Sequence, residues 1–338
     1  AFDAVRTWTP LSWGTESAFL TLNPGNDDLG PERSREVEAG FESAILNDRL
    51  TIDFTAYHQR TADALLSVNT APSAGDWASQ LQNVGELRNR GIEVSVNGSL
   101  IRNANYQWDV GVNYSSNESE VVSLGGAPEF GTGGGTRIAE GYPVPVVRGD
   151  RILNPDEKAP IEYEQNHFYG PNTPTTIVTP STTITLPGQI LITARGEYQE
   201  GHFVQDGATT WSALTGAPLP PCFDAYVDID AGNLDNLTAM ERAWCVRENH
   251  RSGFYVYPAD FFKLRELSLQ VPVTRFVPGS TRSTLTVSGR NLFRWVKDEF
   301  RGWDPEAGGW NSSNSFASQI WENPAPGKIL TASLRVSF

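Results

Sequence analysis

No run in these 338 residues approaches the ~18 consecutive apolar side chains of a membrane-spanning helix, which excludes crossing a bilayer on helices and leaves strands open. Histidine is scarce, and His58, His167, His202 and His250 form no HxH or HxxxH pair, so neither a zinc centre nor a haem ligand is indicated. The two cysteines, Cys222 and Cys245, lie in a long polar stretch and read as a disulfide of an extracytoplasmic loop, because a lone pair cannot close a four-ligand zinc shell. Positive charge is in deficit. With 26 Lys and Arg against 40 Asp and Glu, the net charge of −14 argues against a nucleic-acid surface and for acidic outer loops. No GxSxG elbow and no locally supported Ser/His/Asp set occurs, so nothing nominates an enzyme. Gly131 to Gly135 lack the Lys-Ser/Thr of a phosphate loop and read as a flexible external loop. The chain opens at Ala1 without the basic and apolar regions of a signal peptide, and is expected to be a mature or truncated product that begins inside a larger protein.

What is abundant is material for strands and loops: 31 Gly, 22 Pro, 10 Trp and 10 Tyr. The last ten residues alternate strictly, with Leu330, Ala332, Leu334, Val336 and Phe338 on one face and Thr331, Ser333, Arg335 and Ser337 on the other. A closing strand with one oily side, one wet side and a terminal Phe suits the seam of an outer-membrane barrel, in which half of each strand faces a polar lumen. That also explains an apolar content of only 39 %.

The alternation recurs upstream. Val37, Ala39 and Phe41 oppose Glu36, Glu38 and Glu42, and after a turn near Asn47 the set Leu50, Ile52, Phe54 opposes Thr51 and Asp53. Ile92, Val94 and Val96 form the next face, followed after a turn near Asn103 by Tyr106, Trp108, Val110, Val112 and Tyr114, whose aromatics read as an interfacial girdle. Ile190, Ile192 and Ala194 continue the series, and the phase change at Arg265 and Glu266 predicts a bulge. Short turns near 47, 103 and 275 contrast with long intervals at 69–86, 122–140, 200–256 and 298–325, the asymmetry of periplasmic turns against extracellular loops. The expected fold class is all-β: an antiparallel transmembrane β-barrel, here the C-terminal half, with about ten strands.

Motifs in fixed order carry a resemblance. Pro31, Glu32, Glu38 and Gly40, then Asn83, Gly85 and the run Asn89 to Glu93, then Phe262 to Leu269, Gly289 to Phe293, Asp304 to Glu306 and the terminal Phe338 together resemble the C-terminal barrel of TonB-dependent outer-membrane receptors of the SusC/RagA-like group. The region 122–257 matches least. The resemblance implies a 22-stranded wall around a plugged lumen, with residues 1–338 supplying its C-terminal portion and lacking the plug and the first strands. About ten strands alone would leave two unpaired edges in lipid, so the chain is expected to be a fragment or one half of a split barrel. The implied activity is active import of a bulky nutrient, glycan or peptide, with siderophore or metal-complex uptake as the alternative. The implied partners are a SusD-like surface lipoprotein, the TonB complex through the missing N-terminal part, the barrel assembly machinery that reads Phe338, and outer-membrane lipid. A secreted β-sandwich binding carbohydrate through Trp303 and Trp310 is a reading of a different class.

Candidate ligand contacts are Trp211, Trp303, Asp304, Glu306, Trp310 and Asn311, with Trp244, Trp321 and Asn314 beside them, because indole faces stack on sugar rings or peptide side chains while amides and carboxylates supply hydrogen bonds. The same Trp residues would equally serve a girdle or pack loops together. Glu93, Asp109, Arg195, Arg290 and Arg335 are expected to face the lumen. Asp224, Asp228 and Asp230 would suit a loop calcium by their spacing, against the simpler reading of a solvated loop.

Overall fold

Strand alternation governs most of the computed structural model, which describes residues 4–71, 73, 79–307, 319–321 and 325–338. A hairpin of β1 (Thr7–Trp13) and β2 (Glu16–Asn23) comes first and forms a sheet of its own. The wall begins with β3 (Arg33–Ile45) and β4 (Leu50–Ala62), then β5 (Leu65–Asn69) pairs with β6 (Ser79–Asn83) outside it. It resumes with β7 (Glu86–Arg102) and β8 (Gln107–Ser123). A separate four-stranded sheet follows, of β9 (Phe130–Gly133), β10 (Thr136–Ile138), β11 (Val146–Ile152) and β12 (Tyr163–Pro171). The wall continues with β13 (Thr176–Leu186) and β14 (Ile190–Glu200). Next come β15 (Phe203–Asp206), α1 (Gly207–Thr215), α2 (Phe223–Asp230), α3 (Ala239–Cys245) and β16 (Val256–Pro258). The last wall strands are β17 (Phe261–Pro272), β18 (Arg282–Val296) and β20 (Ile329–Ser337), with β19 (Gln319–Ile320) lying parallel to β15.

The wall is one nine-stranded sheet, ordered β20-β18-β17-β14-β13-β8-β7-β4-β3, and every pair in it is antiparallel. Its register keeps the two chemistries apart. Phe54 lies opposite Phe41 and Val94, Val112 opposite Val96, Ile184 opposite Trp108 and Ile192, and Leu285 opposite Leu334 and Val271, so these side chains share one face. That face is uncovered: Val37 is 74 % exposed, Phe41 55 % and Leu334 57 %. A water-soluble protein seldom exposes an apolar patch of more than a few hundred Å². The sandwich reading fails on this point, since a sandwich would bury such a face against a second sheet.

Hairpin turns bind β3 to β4, β7 to β8, β13 to β14 and β17 to β18 at one end of the wall, and all long connections leave from the other. The β3–β4 turn holds Leu46, Asn47 and Asp48 at φ of 57°, 56° and 61°, a conformation that Asn and Asp tolerate better than other side chains. The expected bulge is present, with the register slipping between Leu264 and Glu266.

The long connections are organised rather than open. Gly131 to Gly135, expected as a flexible loop, instead make the β9–β10 hairpin, with Gly133, Gly134 and Gly135 at positive φ in its turn. The interval 200–256, also expected as loop, is an outer lobe of three short helices. Asp206 caps α1 by accepting from the Thr209 amide at 2.9 Å, and Thr238 and Glu241 form a capping box on α3. The lobe has its own core of Leu219, Ala225, Leu237, Trp244, Phe254 and Tyr255, closed by a disulfide between Cys222 and Cys245 across a Cα separation of 5.4 Å.

Candidate functional site

At the outer rim of the wall, residues from separate motifs meet in one ionic network. Lys263 on β17 is buried, and its Nζ donates to Asp304 Oδ1 at 2.7 Å and to Glu306. Arg265, the bulge residue, donates through Nη1 to Glu306 Oε2 at 2.7 Å and through Nη2 to Glu197 Oε1 at 2.8 Å. Arg294 on β18 spans the Trp303 carbonyl at 2.7 Å and Asp304 Oδ2 at 2.9 Å. The Glu306 amide completes the Asp304 carboxylate at 2.9 Å. Burial alone would raise the Asp304 and Glu306 carboxyls, but Lys263 and the Glu306 amide hold Asp304, and Arg265 and Lys263 hold Glu306, below the ordinary carboxylate range. The two carboxylates are therefore ionised at neutral pH, and their bonds to wall side chains pin the 298–307 segment to the wall.

This changes the reading of Asp304 and Glu306. Both oxygens of Asp304 are engaged, and the residue is 2 % exposed. A ligand would have to displace wall cations to reach it. The same architectural logic explains the earlier motifs. Asn83 accepts from the Gly30 amide at 2.7 Å and donates to the carbonyls of Gly30 and Asp63 at 2.8 Å each, while Glu32 accepts from the Leu65 amide at 2.5 Å. A Cβ on Gly85 would stand 1.7 Å from the Ser123 carbonyl oxygen, at a backbone φ of +79°.

The remaining candidates separate. Trp303 is 69 % exposed and Trp211, on α1, is 59 % exposed, whereas Trp244 is a core residue of the outer lobe. Trp310, Asn311 and Asn314 lie outside the described residues. Asp224 and Asp228 sit on helix α2, Asp228 accepts from Asn236 at 2.7 Å, and among the described residues no group of three His, Cys, Asp or Glu is arranged to hold a metal. The calcium spacing thus arises on a helix and not in an oxygen-lined loop. Register places Glu93, Asp109, Arg195, Arg290 and Arg335 on the single polar face of the wall: Arg195 opposes Glu266, Glu266 opposes Arg290, and Asp109 opposes Thr183, which opposes Thr193. Phe338, just past β20, is 85 % exposed.

Sequence reasoning missed a cavity of about 480 Å³ in the outer region, where Arg137, Arg148, Asp150 and Asn166 from β10 to β12 face Trp211 on α1 and Trp321. No spacing in the sequence links these positions, since three separate connections supply them. The capping box of Thr238 and Glu241 was the available signal for the lobe that completes the region.

Comparison with known proteins agrees with this architecture. Residues 4–237 match the family model described as TonB dependent receptor-like, beta-barrel. TonB-dependent receptor P3 of Formosa agariphila is 26 % identical over 336 residues, covering 86 % of this chain and 32 % of that protein. TonB-dependent receptor P26 of the same organism is 34 % identical over 148 residues, 41 % of this chain and 15 % of the relative. TonB-dependent receptor SusC of Bacteroides thetaiotaomicron is 32 % identical over 104 residues, 31 % of this chain and 10 % of SusC. The solved RagAB peptide transporter superposes with a TM-score of 0.76 at 18 % identity, over 99 % of this chain and 39 % of that one, a likeness of fold. The chain thus spans about a third or less of the length of these curated relatives. All of them are named as receptors and none as an enzyme. With its oily-out wall and its match across residues 4–237, the chain belongs to the TonB-dependent receptor β-barrel family.

Proposed function

We propose that this chain forms the C-terminal part of the wall and an outer lobe of a TonB-dependent importer in the outer membrane of a Gram-negative bacterium, where it helps to take up a bulky nutrient, glycan or peptide. The observation that carries the reading is the uncovered apolar face running across nine strands, opposite a face bearing Glu93, Asp109, Arg195, Arg290 and Arg335. Hydrocarbon outside and water inside account for both faces at once. Two edges of the sheet, β3 and β20, have no partner strand among the described residues. Open edges are costly in lipid, so further strands of the receptor close the barrel.

In this reading the polar face lines the lumen and the segments beyond β14 and β18 form the extracellular rim. A SusD-like surface lipoprotein covers that rim, TonB acts through the receptor's N-terminal part, and the barrel assembly machinery inserts the wall. The fold shared with a solved peptide transporter supports a bulky cargo. Trp303 and Trp211, exposed at the rim, are its proposed contacts. The test is uptake by cells carrying the intact receptor, with and without a working TonB, together with heat-modifiable gel migration of the purified protein. Energy-dependent uptake and a heat-shifted band are expected. A protein that stays soluble without detergent and migrates identically before and after heating would refute the barrel and, with it, the importer.

A further inference from the structure

The cavity beside Trp211 is assigned no role by the ionic network or the wall. Its floor comes from β10 to β12 and its opposite side from the first turn of α1, with Trp321 seated so close to Gly207 that a Cβ there would lie 2.9 Å from the indole. Apart from the two indoles, the described residues of the lining are glycine, charged or polar, without an aliphatic side chain among them. A volume of about 480 Å³ lies in the range of small-molecule sites.

The charges are unequal. Arg148 is held by Glu129, and Asp150 is occupied by the Asn166 amide at 3.1 Å and by Arg251 at 3.9 Å. Arg137 makes no hydrogen bond or ion pair among the described residues, and its Nη1 lies 3.5 Å from where a Gly131 Cβ would stand. It is half-buried on β10, between the Gly131 backbone and Arg148. Burial, and after it the neighbouring Arg148, push its pKa below the ordinary arginine value, against the opposing pull of Glu129, whose carboxylate is already paired with Arg148. A planar guanidinium in that position is suited to donate two parallel hydrogen bonds to a two-oxygen anion.

Resting on the importer reading, we propose that this cavity is a binding subsite for an acidic saccharide, whose carboxylate or sulfate pairs with Arg137 while a sugar ring stacks on Trp211. Stacking needs an exposed aromatic face, which Trp211 offers at 59 % exposure. Ring hydroxyls would meet the Asn166 side-chain amide and would donate to the Thr210 hydroxyl, whose own proton goes to the Asp206 carbonyl at 2.6 Å. A peptide would instead call for apolar pockets or a strand edge, whereas the described lining residues offer charge, hydroxyl and amide groups beside the indoles.

The test uses the intact receptor with its partner lipoprotein, presented with an array of neutral oligosaccharides, uronate-containing oligosaccharides and sulfated oligosaccharides. The expected result is preference for acidic members, weakening as salt is raised, with the uronate and sulfate arms identifying the anion. Arg137→Gln should weaken that binding by about tenfold or more, the cost of losing a hydrogen bond to a charged group. Arg137→Lys should restore part of it, and Trp211→Ala should weaken it without altering the salt dependence. Correct surface assembly of each variant is verified by heat-modifiable migration. Equal binding of neutral and acidic members, or acidic binding unchanged in Arg137→Gln, would overturn the subsite. Uptake of a neutral glycan or a peptide that persists in every variant would overturn it too and leave the importer reading standing, whereas loss of TonB-dependent uptake of any cargo would count against the importer itself.

Discussion

Removing the Asp304 carboxylate tests how the outer rim is held. In Asp304→Ala, Lys263 loses one of two carboxylate partners while its side chain stays only 5 % exposed, and Arg294, 42 % exposed, falls back on water. Breaking a buried ion pair from one side costs about 3–5 kcal/mol. Glu306 still contacts Lys263, which puts the loss near the lower end, about 3 kcal/mol. At about 1.4 kcal/mol per decade this corresponds to an opening population of the 298–307 segment raised about a hundredfold. Hydrogen exchange on the intact receptor reads it at the Ala307 amide, whose acceptor is the Asp304 backbone carbonyl at 3.0 Å and therefore survives the substitution. The Lys297 amide, bonded to the Asp260 carbonyl at 3.0 Å, is the internal reference. Pairing Asp304→Leu with Lys263→Met should recover much of the loss, because neither charge is then left buried alone. An Ala307 amide that exchanges no faster in Asp304→Ala than in the parent would show that something other than these ions anchors the segment.

Replacing Cys222 and Cys245 by Ser removes a bridge between positions 23 residues apart, worth about 3 kcal/mol by chain entropy, so the outer lobe should become protease-sensitive while the wall stays heat-modifiable. His202, buried between β14 and β15, has its pKa pushed down to about 4 by burial against the opposing pull of Asp260. The unfolded chain takes up a proton below 6.5 while the folded imidazole stays neutral to about 4, so local stability should fall as pH drops through that window, by up to about 3 kcal/mol. Exchange near β15 that does not change between pH 7 and pH 4 would contradict this. Phe338→Asp should reduce outer-membrane insertion of the intact receptor, and unchanged insertion would remove the assembly role of the terminal residue.

Much of the wall was legible because lipid on one side and water on the other force period-two alternation, which Leu330 to Phe338, Phe41, Phe54 and Val94 display plainly. β13 was harder to see, since its outward face includes Thr182 beside Val178 and Ile184, and threonine blurs the contrast. The three helices escaped notice because each is seven to nine residues long, too short for a helical period to stand out. Asp304 stood out in the sequence as a candidate ligand contact, while its ionic partners Lys263 and Arg294 lie 41 and 10 positions away and only strand pairing brings them together. The convergence of Arg137 and Trp211 across connections has no local signature at all.

Gln199 and Phe261 are direct neighbours across β14 and β17, although the whole helical lobe is strung between them. The wall thus senses that insertion only as a pair of adjacent attachment points. Enlarging such an insert costs the scaffold little, about 0.6 kcal/mol per doubling of length by closure entropy. A scaffold built this way can exchange an entire outer module, stapled and self-packed, and keep every rung of the ladder beneath it in place.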